Sequence, residues 1–195
     1  METLYWHAFN QVVVTSNWKI KVGTYTSDFE KGMMNQLEEQ FGGANGGTHV
    51  GCLFHFKQAL RRHLIKKIRM DEGSVTAAMK IGSLDLLSVI PRDEVIEYGI
   101  PYLRSVLEAG KEKKTVAKWD VFWAYFNKTW IPIIESWNIC IGDDEDIEIV
   151  NRTNNGLERY NRKFNGLFPK CCSIFTKSDL FCSIFFKFER VAALF

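Results

Sequence analysis

Val22-Gly23-Thr24-Tyr25-Thr26-Ser27-Asp28-Phe29-Glu30 is the stretch that decides the fold. Its first six residues are β-prone and short enough for one strand. Ser27-Asp28-Phe29-Glu30 then has the spacing of a capping box, in which a hydroxyl and a carboxylate three residues apart satisfy each other's backbone N–H groups. A helix is expected from there through Met33, Met34 and Leu37 to Phe41. The glycine-rich run Gly42 to Gly47 stops that helix, and Thr48 to Leu53 reads as a second short strand. Upstream, Met1 to Ser16 reads as a helix, with Leu4, Ala8, Val12 and Val13 on one face. The order helix, strand, helix, strand implies parallel strands joined by a crossover helix.

The middle of the chain has a different texture. From Phe54 to Trp137 the pattern is helical, with almost no strand signal. Leu60, Leu64 and Ile68 line one basic helix; Val95, Ile96, Leu103, Val106 and Leu107 belong to another, broken at Pro101. Trp119, Phe122, Trp123, Phe126 and Trp130 recur at steps of three and four in a third. Gly142 to Glu148 is acidic and reads as a loop. Helices are expected over Thr153 to Leu167 and roughly Ser178 to Leu194.

Composition narrows the classes. With 46% hydrophobic residues in 195, the chain has material for a core and is not disordered as a whole. A net charge of +2 excludes a uniformly basic nucleic-acid coat protein but permits a local basic face. No run approaches the roughly 20 apolar residues of a membrane span, so no membrane partner is expected. The first twenty residues lack the pattern of a signal peptide. Five cysteines, an odd number without small-scaffold spacing, read as reduced thiols and an intracellular protein.

Several residues carry chemistry worth placing. Asp28 stands between a strand and a helix, at the rim where α/β sheets bind ligands; a helix-capping role is the alternative. Glu158, three positions after Asn155, either caps its helix or points into a cleft. Cys52-Leu53-Phe54-His55 brings a thiol and an imidazole together, yet two ligands do not close a tetrahedral zinc site. Lys57, Arg61, Arg62, Lys66, Lys67 and Arg69 form a basic stripe suited either to DNA phosphates or to simple solvation. The aromatic series from Trp119 to Trp137 is read as core rather than as a stacking surface, and Asp143-Asp144-Glu145-Asp146 lacks the alternation and glycine of a calcium loop.

Four stretches, in order, resemble the Mutator-like element (MULE) transposase domain: Thr26-Ser27-Asp28-Phe29-Glu30; Val50-Gly51-Cys52-Leu53-Phe54-His55-Phe56-Lys57-Gln58-Ala59; Tyr125-Phe126-Asn127-Lys128-Thr129-Trp130-Ile131; and Arg152-Thr153-Asn154-Asn155-Gly156-Leu157-Glu158. The resemblance spans roughly Tyr5 to Phe168. It implies an α/β, mostly helical chain: a partial ribonuclease H-like core lacking its first strands, interrupted by an all-helical insertion. The expected division is a partial core over 1–55, the insertion over 56–150, and a C-terminal core helix with a divergent tail over 151–195. The resemblance further implies DDE chemistry on DNA with Mg2+ or Mn2+, Asp28 and Glu158 being the second and third acids, and Cys52 and His55 the family's Cys-x-x-His motif. DNA as partner and the nucleus as compartment follow from the same likeness. The family's first Asp has no counterpart here, since Glu2 is the only acid before Asp28. A truncated or degenerate domain is therefore expected, holding metal weakly or not at all and inactive by itself. The alternative is a non-catalytic DNA- or protein-binding remnant. Two strands alone would leave an open edge for self-association.

Overall fold

The computed structural model describes residues 2–17, 22–140 and 185–188. The chain divides into two compact units, Met1–Cys52 with Asn151–Phe195, and Leu53–Val150. At the coarsest level the protein is a mostly helical α/β chain with one small open sheet.

In the first unit, helix α1 (Glu2–Thr15) precedes strand β1 (Val22–Ser27), helix α2 (Lys31–Phe41) and strand β2 (Thr48–Gly51). β1 and β2 run parallel, with Thr24 opposite Thr48, Tyr25 opposite His49, Thr26 opposite Val50 and Ser27 opposite Gly51. α2 is the crossover between them, as the alternating pattern predicts. Tyr5 and Phe9 of α1, Val22 and Tyr25 of β1, and Met33, Leu37 and Phe41 of α2 form one buried cluster. Phe41 is its pivot, with ring centroids 6.2 Å from Phe9 and 6.4 Å from Tyr25.

Three expectations are corrected here. The buried face of α1 is Tyr5 and Phe9 with Val13 alongside, while Leu4 is 55% exposed. The helix is turned by one residue, about 100°, because two aromatic rings bury more area than the aliphatic stripe beside them. The capping box does not form: α2 starts at Lys31, and Glu30 is its N-cap without a side-chain cap bond. Ser27 belongs instead to β1, and its carbonyl accepts the Cys52 N–H at 2.9 Å. Finally, Phe185–Phe188, inside the expected C-terminal helix, form strand β3 antiparallel to β1. The sheet order is β2-β1-β3, so β1 is central rather than an open edge. The aromatic run that reads as an amphipathic helix is equally β-prone, and pairing satisfies backbone groups that β1 would otherwise leave bare. The rest of that predicted helix lies outside the described residues.

The second unit is helical throughout its described residues. Helix α3 (Leu53–His63) continues into a π turn, Leu64–Ile68, and stops at Arg69, whose φ of 55° is left-handed. Helix α4 (Glu72–Met79) follows, capped by the Asp71 carboxylate on the Ser74 N–H at 2.8 Å. A 3₁₀ turn, Leu84–Ser88, and a second π turn, Val95–Gly99, lead into helix α5 (Ile100–Leu107). Pro101 therefore does not break this helix; it sits in the first turn of α5, just after the π turn. Widening the backbone there accommodates a ring that would clash with the carbonyl four residues back. Of the apolar residues expected on this helix, Val95, Leu103 and Leu107 are buried, whereas Ile96 and Val106 face out.

Helices α6 (Lys113–Thr129) and α7 (Ile134–Trp137) complete the unit. The aromatic series on α6 is core, as expected: Trp119, Phe122, Trp123 and Phe126 are all buried. Phe56 from α3 stacks on Trp137 at 5.0 Å and meets Trp130 edge-on at 4.8 Å. Trp137 Nε1 donates to the Trp130 carbonyl at 2.7 Å. Buried Asn138 then donates to the carbonyls of Leu87 and Ile90, at 2.8 and 2.9 Å, tying the end of α7 to the turn before α5.

Gly47 sits at the tightest point of the crossover. Its N–H donates to the Phe41 carbonyl at 2.8 Å, and a Cβ there would overlap that same oxygen. Gly47→Ala is expected to destabilise the chain by about 1–3 kcal/mol through overpacking. Gly46, at φ 78°, has open space around it; Gly46→Ala should cost about 1 kcal/mol through backbone strain alone. Urea denaturation of the two variants checks the ranking, and a milder Gly47→Ala would contradict the close approach.

Candidate functional site

The residue-level organisation of the first unit centres on the turn that leaves β1. In parallel register, Tyr25 and Ser27 point to the same face as His49 of β2. Ser27 Oγ lies 2.8 Å from His49 Nε2 and donates to the Asp28 carbonyl at 2.9 Å. A hydroxyl has one proton. With that proton on the Asp28 carbonyl, His49 Nε2–H must be the donor to Ser27, which fixes the imidazole as the Nε2–H tautomer. The Asp28 carboxylate accepts the Glu30 N–H at 3.1 Å. This is an Asx turn, the device that turns the chain from strand to helix. Glu30 in turn accepts the Tyr5 hydroxyl at 2.6 Å. Asp28 is thus held at its carbonyl and at its carboxylate, half-buried at the C-terminal end of β1.

Charge around this row follows from burial. Desolvation lowers the His49 pKa to about 4, against an opposing pull from the Glu38 carboxylate on α2. Desolvation, then the hydrogen bond to Glu38 at 2.7 Å, pushes the Tyr25 phenol far up, so it stays protonated as the donor. Tyr25 and His49 also face each other as rings, 5.3 Å apart.

His49 and Glu38 have no local motif and escape a sequence reading. The only signal for His49 is the register that sets it beside Tyr25, and register is a property of two strands together.

Among the described residues no group of three or more His, Cys, Asp or Glu side chains comes together. No cation pairs with Asp28 among the described residues, and its placed carboxylate contact is to a backbone N–H. These residues do not by themselves fit a one- or two-metal centre. Glu158 lies outside the described residues, as do the acidic run Asp143–Asp146 and the expected helix over 153–167. Cys52 is fully buried, directly after β2. His55 is half-buried on α3, with its ring edge-on to Phe54 at 5.5 Å.

The basic residues separate into two kinds. Arg61, Arg62, Lys66, Lys67 and Arg69 are exposed along α3 and its π extension. No ion pair with a carboxylate engages these five among the described residues. Lys57 stands apart, its Nζ 3.5 Å from the Asp85 carboxylate in the turn after α4. No described helix is long and apolar enough to cross a membrane.

Comparison with protein-family models, with curated proteins and with solved structures yields no match.

His49 makes a pH prediction whose sign is fixed. Its folded pKa lies below the ordinary 6.5, so between pH 6.5 and 4 the unfolded chain binds a proton that the folded chain does not. Stability is complete above that window and falls as pH drops through it, by up to about 3 kcal/mol. His49→Gln keeps a hydrogen-bond donor for Ser27 and removes the titration. Urea denaturation from pH 4 to 7 should show a shallower acid slope in the variant; equal slopes would reject the buried neutral imidazole.

Proposed function

We propose that the chain is a remnant of a MULE-like DDE transposase catalytic domain, ancestrally a nuclear enzyme of DNA strand cleavage and transfer, and catalytically silent as these 195 residues. The observation that carries the reading is the position of Asp28. It follows directly on a strand that pairs in parallel through a crossover helix, the place where α/β sheets gather ligand-binding side chains. The double anchoring of its carbonyl and carboxylate supports the same reading, because a metal ligand works only when its rotamer is held. On this reading the helical unit that follows β2 would be the family's insertion. The resemblance gives the remaining acid as Glu158, which lies outside the described residues.

The juxtaposition of Asp28 and Glu158 that the proposal implies is testable without activity. In a chain whose five native cysteines are serines, Asp28→Cys and Glu158→Cys should be joined efficiently by a short bismaleimide. Failure to cross-link, with each thiol labelled normally, would remove the basis of the proposal. A supercoiled plasmid should remain intact with Mg2+ or Mn2+ present. Nicking abolished by Asp28→Ala would show instead that the chain is an active nuclease.

A second reading, a DNA-binding remnant, is favoured by the exposed ridge on α3. Five cations without carboxylate partners among the described residues present a strip of positive charge that phosphates can neutralise. Duplex DNA is expected to be retained at low salt and released as salt rises. Replacing Arg62, Lys66, Lys67 and Arg69 by Ala should flatten the log–log salt slope by about 3 to 4. An unchanged slope would mean that the ridge is only solvated.

A further inference from the structure

The helical unit carries a feature that neither reading uses. Between α3 with its π extension and α4 lies an open groove of about 590 Å³. Its floor is apolar, built from Ile65, Met70, Val75 and Met79, and Arg61 and Lys80 stand among its lining residues. Glu72 is the one acid lining it. Ile65 is 40% exposed, and Ile81, immediately after Lys80, is 88% exposed. At Ile65 the apolar lining of the groove therefore reaches solvent.

Two chemical facts select the occupant. An apolar floor with two thioethers suits side chains rather than phosphates, and methionine adapts its shape to what it meets. The charge of the lining is net positive: Arg61 and Lys80 against the single acid Glu72. DNA would satisfy the cations but leave the floor wet. An amphipathic segment with aliphatic residues on one face and carboxylates beside them satisfies both. We infer that this groove docks an acidic amphipathic peptide segment of a partner protein, with its apolar side chains on Ile65, Met70, Val75 and Met79 and its carboxylates against Arg61 and Lys80.

The test uses the full chain and three labelled probes read by fluorescence anisotropy. One is a synthetic helix-forming peptide with leucines at helical spacing and glutamates elsewhere; another keeps the leucines and replaces glutamate by lysine; the third is duplex DNA. The acidic peptide should bind at least about tenfold tighter than the basic one, since two rim ion pairs separate them. Arg61→Glu with Lys80→Glu, both outside the core, should reverse that preference. Ile65→Ser should weaken binding of the acidic peptide without changing the preference. The variant lacking Arg62, Lys66, Lys67 and Arg69 should still prefer the acidic peptide, which separates this surface from DNA retention.

Equal binding of the two peptides would overturn the inference, as would DNA that competes for the groove and depends on Arg61 and Lys80. So would peptide binding that appears only after Asp143, Asp144, Glu145 and Asp146 are neutralised, because the occupant would then be this chain's own acidic run. A preserved thermal unfolding profile for each variant keeps loss of binding distinct from loss of fold.

Discussion

The parallel register of β1 against β2 is the constraint from which the first unit follows. It sets Tyr25 opposite His49 and Ser27 opposite Gly51, and so gathers a phenol, a hydroxyl and an imidazole on one face. α2 joins the two strands and contributes Glu38, the acceptor for Tyr25. A slip of β2 by one residue would send His49 to the face opposite Tyr25 and Ser27. It would also part Ser27 from the Cys52 N–H that its carbonyl accepts. The core cluster of Phe9, Tyr25 and Phe41 and the polar row beside it are therefore two consequences of one pairing.

Holding polar groups in that position has a cost, and the arrangement limits it. An imidazole kept neutral by desolvation loses the hydration of its charged form, but its Nε2 is matched by Ser27. The hydroxyl passes the interaction to the Asp28 carbonyl, and the Asp28 carboxylate passes it to the Glu30 N–H. Each link is an ordinary hydrogen bond, contributing about 1 kcal/mol net. Their value lies in direction: the chain leaves β1 with its first acidic side chain fixed at the strand's end. A loop held only by solvent would leave that carboxylate to sample several rotamers.

What a single sequence reveals here depends on how local the deciding interaction is. β1, α2, the glycine stop and β2 were legible because composition and period lie within each segment. The aromatic core of the helical unit was legible for the same reason, since Trp119, Phe122, Trp123 and Phe126 keep helical spacing. The inward face of α1 was misread by one residue, because Tyr5 and Phe9 win by area, which a count of apolar positions does not weigh. The capping box failed because strand pairing claimed Ser27, and the strand at Phe185–Phe188 was hidden because its pairing partner is about 160 positions away. Of the candidate site, Asp28 and the basic ridge could be named in advance; Ser27 could be read only as a helix cap, and His49 and Glu38 not at all, as only the folded register brings them together.

The helical unit holds its own argument about what such a chain can retain. Its aromatic contacts, Phe56 with Phe126, Trp130 and Trp137, are all supplied from within residues 53–140. Lys57 pairs internally with Asp85, whereas Arg61, Arg62, Lys66, Lys67 and Arg69 remain outward and without carboxylate partners among the described residues. Loss of one catalytic carboxylate leaves at most a weak single-metal site, which cannot clamp both the attacking and the leaving oxygen. A surface built from many weak contacts degrades gradually, one contact at a time. On the proposed reading, binding by the helical unit is therefore the property of the ancestral domain with the better physical reason to persist after cleavage is gone.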